Sequence, residues 1–279
     1  MALAARFSTW MRVCGLLLLV AGCAGTVQDP DELDNFAPEA IYKRAEYELA
    51  NDDAEKAAEY FGEIERLYPY SEWAKRALIM QAFAYYEDRD YDNSRSSAQR
   101  YLDFYPADED AAYAQYLMAL SYYDQIDDVG RDQGMTFQAL QALRKVIEDY
   151  PNSEYADSSV LKFDLAFDHL AGKEMEVGRY YLKRKYYVAA INRFRVVVED
   201  FQTTTHTAEA LHRLVEAYLS LGLDAEAQTA GAILGYNFRS TEWYSESYAL
   251  LTGRGLALEA RGDGWLASIY RQMVRGDWL

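Results

Sequence analysis

Few residues in this 279-residue chain could carry chemistry, and most of them stand in unhelpful company. The only thiols are Cys14 and Cys23, both within the first 23 residues, so the rest of the chain can hold neither a disulfide framework nor a cysteine metal site. The histidines are His169, His206 and His212, and no two share the spacing that would put both imidazoles on one helical turn around a metal. Gly253-Arg254-Gly255 lacks the preceding strand and the third glycine of a nucleotide loop. Carboxylates are abundant, but with 45 acids against 28 bases their pairs read as a solvated face. A formal net charge of −17 repels phosphate backbones and anionic headgroups, so nucleic acid is not an expected partner. No nucleophile stands beside a base. The expectation is therefore a non-enzymatic protein with no catalytic residue, no metal and no dissociable cofactor.

Cys23 is the exception. Arg6 and Arg12 form a basic start, and residues 13–20 (VCGLLLLV) form an apolar run far shorter than the roughly 20 residues that span a bilayer. Val20-Ala21-Gly22-Cys23 follows and is similar to the lipobox of bacterial lipoproteins. Small residues there let a peptidase reach the backbone, and only a thiol can form the thioether to a diacylglycerol. That resemblance implies a signal peptide over 1–22, carrying Cys14 away, and a covalent lipid on the sulfur and new amine of Cys23. At about 0.8 kcal/mol per buried methylene, stable attachment needs at least two lipid signals, and three acyl chains exceed that. Ala24 stands where lipoproteins held at the inner membrane often carry Asp, so the expected address is the outer membrane, facing the periplasm. Residues 23–36 have little apolar content and no period, and read as a flexible lipidated tether reaching about 40 Å.

The elements behind the tether repeat. An aromatic followed by proline closes three apolar-periodic stretches, at Tyr68-Pro69, Tyr105-Pro106 and Tyr150-Pro151, and Phe201-Gln202 keeps the aromatic alone. Proline has no N–H to continue a helical ladder and so stops each helix. Nearly the same string follows twice, Ser71-Glu72-Trp73-Ala74 and Ser153-Glu154-Tyr155-Ala156, with serine as the expected N-cap of the next helix. This punctuation resembles the 34-residue tetratricopeptide pattern of paired helices. Ala45, Ala82, Ala119 and Gly178 fall at the small position of the first helix, and Ala57, Ala139, Ala190 and Ala227 at that of the second. Phe61, Ile64, Tyr101, Leu143, Val146, Phe194 and Val197 fall at its apolar positions. A fifth unit is weaker, with Val215 where a small residue is wanted. The predicted fold is all-α, a superhelical array of about five helix pairs. Repeats one to three occupy 37–151, and repeats four and five occupy 152–240 with a long joining helix over Tyr155–Arg184. A surface loop lies near Asp127–Gly134, and a helical cap covers 241–279.

A lipobox ahead of such repeats resembles the BamD family of outer-membrane lipoproteins, part of the β-barrel assembly machinery. The residues that carry the resemblance include Arg66-Leu67-Tyr68-Pro69, Ala84-Tyr85-Tyr86, Tyr150-Pro151-Asn152-Ser153-Glu154-Tyr155, Val177-Gly178-Arg179-Tyr180-Tyr181 and Ala190-Ile191-Asn192-Arg193-Phe194. It implies a scaffold that helps insert barrel proteins into the outer membrane. Its partners would be the periplasmic domains of the large barrel subunit, other assembly-machinery lipoproteins, unfolded outer-membrane protein segments, and the membrane through the lipid. It also implies that Arg193 contacts the barrel subunit. A different reading of the same repeats is an envelope lipoprotein organising peptidoglycan or polysaccharide assembly.

Tetratricopeptide geometry places Tyr42, Phe83, Tyr86, Tyr113, Tyr116 and Tyr123 on the concave side of the first three units, as an aromatic peptide groove. The same rings equally suit a core packed between helices. Lys183-Arg184-Lys185 either neutralises a helix C-terminus or meets an acidic partner.

Replacing Cys23 by Ala is expected to leave an unprocessed precursor without lipid, since no other residue can form the thioether. Mass spectrometry of the membrane fraction checks this, and a normally acylated mature chain would contradict it.

Overall fold

The computed structural model describes residues 30–261 and 264–275, so Cys23, the signal peptide and most of the tether lie outside the described residues. The helices α1 (Pro38–Ala50), α2 (Ala54–Leu67), α3 (Glu72–Glu87), α4 (Tyr91–Phe104), α5 (Ala111–Tyr123), α6 (Gly134–Asp149), α7 (Ala156–Lys183), α8 (Tyr187–Asp200), α9 (Thr207–Leu221) and α10 (Asp224–Asn237) form five pairs. Each helix packs on its neighbours in sequence, and α1, α3 and α5 also touch in succession, as expected of stacked units. Two further helices, α11 (Glu242–Thr252) and α12 (Trp265–Tyr270), follow.

Small residues let the two helices of a unit meet. Ala45, Ala57, Ala82, Ala119, Ala139, Ala190 and Ala227 are all without exposure. In the second unit, Ser94 takes the place of the second-helix alanine and donates its hydroxyl to the Ala82 carbonyl at 2.8 Å, bonding one helix directly to the backbone of the other. In the fourth unit, a Cβ added to Gly178 would sit 2.8 Å from Cδ1 of the buried Phe194 ring and closer still to its edge. Gly178 therefore costs α7 helix propensity and gives Phe194 its room. Val215 is fully buried in the fifth unit despite its size.

Each second helix ends in the same turn. The C-caps are Tyr68, Tyr105, Tyr150, Phe201 and Phe238, with φ between −124° and −132°. Three residues on, an N–H returns to the aromatic's carbonyl, from Ser71, Asp108, Ser153, Thr204 and Thr241 in turn. Four of these five also donate a hydroxyl to that carbonyl at 2.7–2.8 Å. Asp108, which has no hydroxyl to give, instead accepts from the buried Tyr101 phenol at 2.6 Å and from Lys75 on α3 at 2.8 Å. Those two hydrogen bonds hold its carboxyl well below the usual range, at about 2.

Three expectations are corrected. Ser71 caps α3 through the Ala74 N–H, but Ser153 does not cap α7. An extra turn intervenes, the Ala156 N–H bonds the Ser153 carbonyl, and α7 begins after Tyr155. The end of the tether is also tied down. Pro30–Asn35 forms a 3-10 turn whose Leu33 is buried in the core of the first unit, and Tyr68 donates its hydroxyl to the Phe36 carbonyl at 2.6 Å. Lastly, the stretch 253–261 that follows α11 is not helical. It crosses α10 through Gln228 Nε2 donating to the Ala257 carbonyl and the Arg261 N–H donating to Thr229 Oγ1, each at 2.8 Å. Leu251, Leu266 and Ile269 thereby join the core of α9 and α10.

Gly178→Ala is expected to lower stability by about 1–3 kcal/mol through overpacking, despite the roughly 1 kcal/mol of helix propensity that alanine adds. Gly172→Ala, whose Cβ would meet the movable His206 ring at 3.2 Å, should cost far less. Urea titration followed by circular dichroism measures both.

Candidate partner-binding surfaces

The aromatic row lies on three first helices, with Tyr42 on α1, Phe83 and Tyr86 on α3, and Tyr113, Tyr116 and Tyr123 on α5. All six rings are half-buried. Tyr42 stands edge-on to Phe61 at 5.2 Å between centroids and tilts against Trp73 at 5.0 Å. Tyr116 stacks on Tyr155 at 5.1 Å, its hydroxyl 2.8 Å from Ser158 Oγ, and Tyr113 packs on the other part of the same Tyr155 ring at 5.3 Å. Tyr86 donates to Asp124, and burial with that bond pushes its phenol far above the ordinary range. Phe83 packs in the core of the second unit with Tyr113. Tyr123 carries the Lys162 ammonium over its face at 5.6 Å and borders a shallow hollow with Ile126, Asp127 and His169. Each of the six rings is thus packed against a neighbouring part of the array.

Trp73 and Tyr155 add two rings that tetratricopeptide positions do not predict for this surface, and the sequence carries the signal for them. They follow Ser71-Glu72 and Ser153-Glu154, and the same register recurs at Thr241-Glu242-Trp243. In each case the ring after the acid packs on a ring of an earlier first helix, Trp243 meeting His212 at 5.4 Å. Burial of the Tyr155 phenol beside Glu154 raises its pKa to about 12.

His212 has surroundings that merit a chemical reading. Its Nδ1 lies 2.8 Å from Ser247 Oγ and its Nε2 lies 3.2 Å from Glu246. A serine, an imidazole and a carboxylate in line are the parts of a nucleophilic triad, but Ser247 is wholly buried. Burial also lowers the His212 pKa, which suits a neutral structural imidazole. Among the described residues no cluster of three or more His, Cys, Asp or Glu side chains is placed to hold a metal.

Arg193 lies on α8 between buried Ala190 and Phe194, and its own side chain is 44% exposed. Its guanidinium reaches Glu174 of α7 at 3.0 Å, so it is oriented by a carboxylate of its own chain while keeping an open edge. On another face of α7, Arg179 forms a two-pronged pair with Glu209 of α9 at 2.9 and 2.8 Å, and Arg213 of α9 shares that carboxylate. The aromatic end and this charged end of the array therefore differ in chemistry.

Residues 34–233 match the model of the YfiO family, described as outer membrane lipoprotein. A protein of Caulobacter vibrioides named outer membrane protein assembly factor BamD is 48% identical over 238 residues, 85% of this chain and 78% of its own. A Rickettsia prowazekii protein of the same name is 43% identical over 235 residues, 84% of this chain and 92% of its own. A third, from Neisseria meningitidis serogroup A, is 29% identical over 245 residues, 84% of this chain and 92% of its own.

Tyr155→Ala removes the ring that backs both Tyr113 and Tyr116. The expected loss is about 2 kcal/mol, less than the ~3–5 of a fully buried ring, and Tyr155→Phe should recover nearly all of it. Thermal melts of the two variants decide between stacking and the phenol hydroxyl as the source of the stability.

Proposed function

The chain belongs to the YfiO family of outer membrane lipoproteins, and on that premise we propose that it is a non-enzymatic scaffold of the β-barrel assembly machinery. It helps β-barrel proteins assemble and insert into the outer membrane. The observation that carries this is the 48% identity, over most of both chains, to a relative named as an outer membrane assembly factor. In this reading the lipid on Cys23 holds the chain to the outer membrane and the repeats face the periplasm. The tether is shorter than its sequence suggests, since Leu33 is buried in the core of the first unit and Tyr68 holds the Phe36 carbonyl.

The two ends of the array divide the work. Half-buried rings fixed from behind lose little rotamer entropy on binding and offer apolar area. The row from Tyr42 to Tyr123 is suited to extended, aromatic-rich segments of unfolded outer-membrane proteins. Arg193 contacts a carboxylate of the barrel subunit's periplasmic domains, with Glu174 holding the guanidinium in place. Other assembly-machinery lipoproteins are partners of the remaining surface.

Arg193→Glu is expected to reduce affinity for the barrel subunit by at least about tenfold. The variant should keep its fold, because an exposed pair such as Arg193–Glu174 is worth about 0–1 kcal/mol. Co-purification from solubilised envelopes reads the outcome. Unchanged recovery of a large barrel protein removes Arg193 from the interface, and recovery of cell-wall synthases in its place would favour the peptidoglycan reading.

A further inference from the structure

Between α7 and α9 the fourth and fifth units leave a cleft of about 470 Å³ that is unusual for so acidic a protein. Arg179, Lys183, Lys185 and Arg213 line it, with Glu216 the only acid on its wall and Leu182 and Tyr187 supplying apolar surface. The arginines are already matched. Arg179 holds Glu209 in both prongs, and Arg213 divides between Glu209 and Glu216, the latter at 2.8 Å. Lys183 and Lys185 are not. Both are exposed, and neither ammonium has a carboxylate within ion-pair distance among the described residues. Both also sit at the C-terminus of α7, where a cation is favoured by the helix dipole. That accounts for basic residues at this turn, but not for their lining a cleft whose other two cations are already neutralised.

The cleft does not end at the lysines. A second hollow of about 550 Å³ shares Lys185 and Tyr187 with it and continues over Tyr186, Val188 and Leu221, all exposed large apolar side chains. An occupant of both must carry negative charge at one point and an apolar side chain a few residues away, on an extended backbone. The chain as a whole, with a formal net charge of −17, repels such a segment, and this cationic cleft is where it is attracted.

We propose that the cleft between α7 and α9 binds an extended acidic segment of a partner protein, its carboxylates on Lys183 and Lys185 and an aromatic or leucine anchor in the hollow beside Tyr187. This goes beyond the reading above and does not use Arg193. Arg179 stands about 140° round α7 from the Glu174 that orients Arg193, so the two surfaces face different ways and can fail separately.

Backbone geometry supplies a clean variant. Lys185 has φ 64°, in the left-handed region, and the matching turn of the fifth unit uses Gly222 at φ 73°. Lys185→Gly therefore removes the ammonium while easing the backbone, and Lys183→Gln removes the other on an exposed helical position. The probes are two fluorescein-labelled peptides, one of glutamates around a central phenylalanine and one with glutamines in their place. They are titrated by anisotropy into the mature lipidated chain in non-ionic detergent. The expected result is binding of the acidic peptide that weakens with salt, with about tenfold or greater loss for the glutamine peptide and for the Lys183→Gln, Lys185→Gly double variant. The double variant should melt as the parent does, and Arg193→Glu should bind the peptide normally. The proposal is overturned if the acidic peptide does not bind, if both peptides bind alike, or if the double variant binds undiminished. Displacement of the peptide by phosphatidylglycerol added to the micelles would also overturn it, in favour of a lipid headgroup.

Discussion

The structure depends on how closely two helices can approach where one of them gives up its side chain. At Ala45 and Ala57, and at Ala119 and Ala139, the crossing is filled by methyl groups that water cannot reach. At Ala82 and Ser94 it is a hydrogen bond from side chain to backbone. At Gly178 it is the edge of an aromatic ring. The three solutions differ in chemistry and share one requirement, which is that nothing larger stands at the contact. Fully buried Ile64, Tyr101, Val146, Val197 and Leu234 then lie one to a unit along the second helices, and the core runs along the array as separate clusters, the largest joining the fourth and fifth units with the tail.

Units defined this way must also be kept in phase, and the turn closing each second helix does that. Its aromatic ends the helix, and its carbonyl is taken by a backbone N–H and usually by a hydroxyl as well. Five copies with nearly equal dihedral angles send the chain into the next unit in the same direction each time. The fourth and fifth copies lack proline, using Gln202 and Arg239 instead, so the hydrogen bonds rather than the missing N–H fix the geometry. The aromatic or tryptophan that opens the following helix then presses back on an earlier ring, as Trp73 does on Tyr42. Stop turn and ring contact together couple one unit to the next.

A regular scaffold leaves its surfaces free to differ. The first helices of the first three units carry the six half-buried rings, while the cleft between α7 and α9 in the last two is lined by cations. Apolar contact area and directional charge recognise different chemistry, and the one array presents both. The tail reinforces the charged end, with Leu251, Leu266 and Ile269 closing the core that α9 and α10 would otherwise expose.

Much of this was legible in the sequence, because repeats are local. Proline after an aromatic, and alanine or glycine at fixed spacing, declare helix ends and helix contacts without reference to distant parts of the chain. The positions of Ala45, Ala57, Gly178 and Phe194 could be named from spacing alone, and the motifs that resemble the family stand in the sequence as well. What depends on distant residues was not available. Ser71 and Ser153 sit in nearly identical strings, yet one caps a helix and the other closes an extra turn. Leu33 lies in a stretch that looks like linker, and only the groove of the first unit gives it a place to be buried. The pairing of Arg193 with Glu174, and the isolation of Lys183 and Lys185 beside two satisfied arginines, are matters of which carboxylates lie within a few ångströms. Sequence periodicity fixes which way a residue points on its own helix, and only the packing of several helices fixes what it finds there.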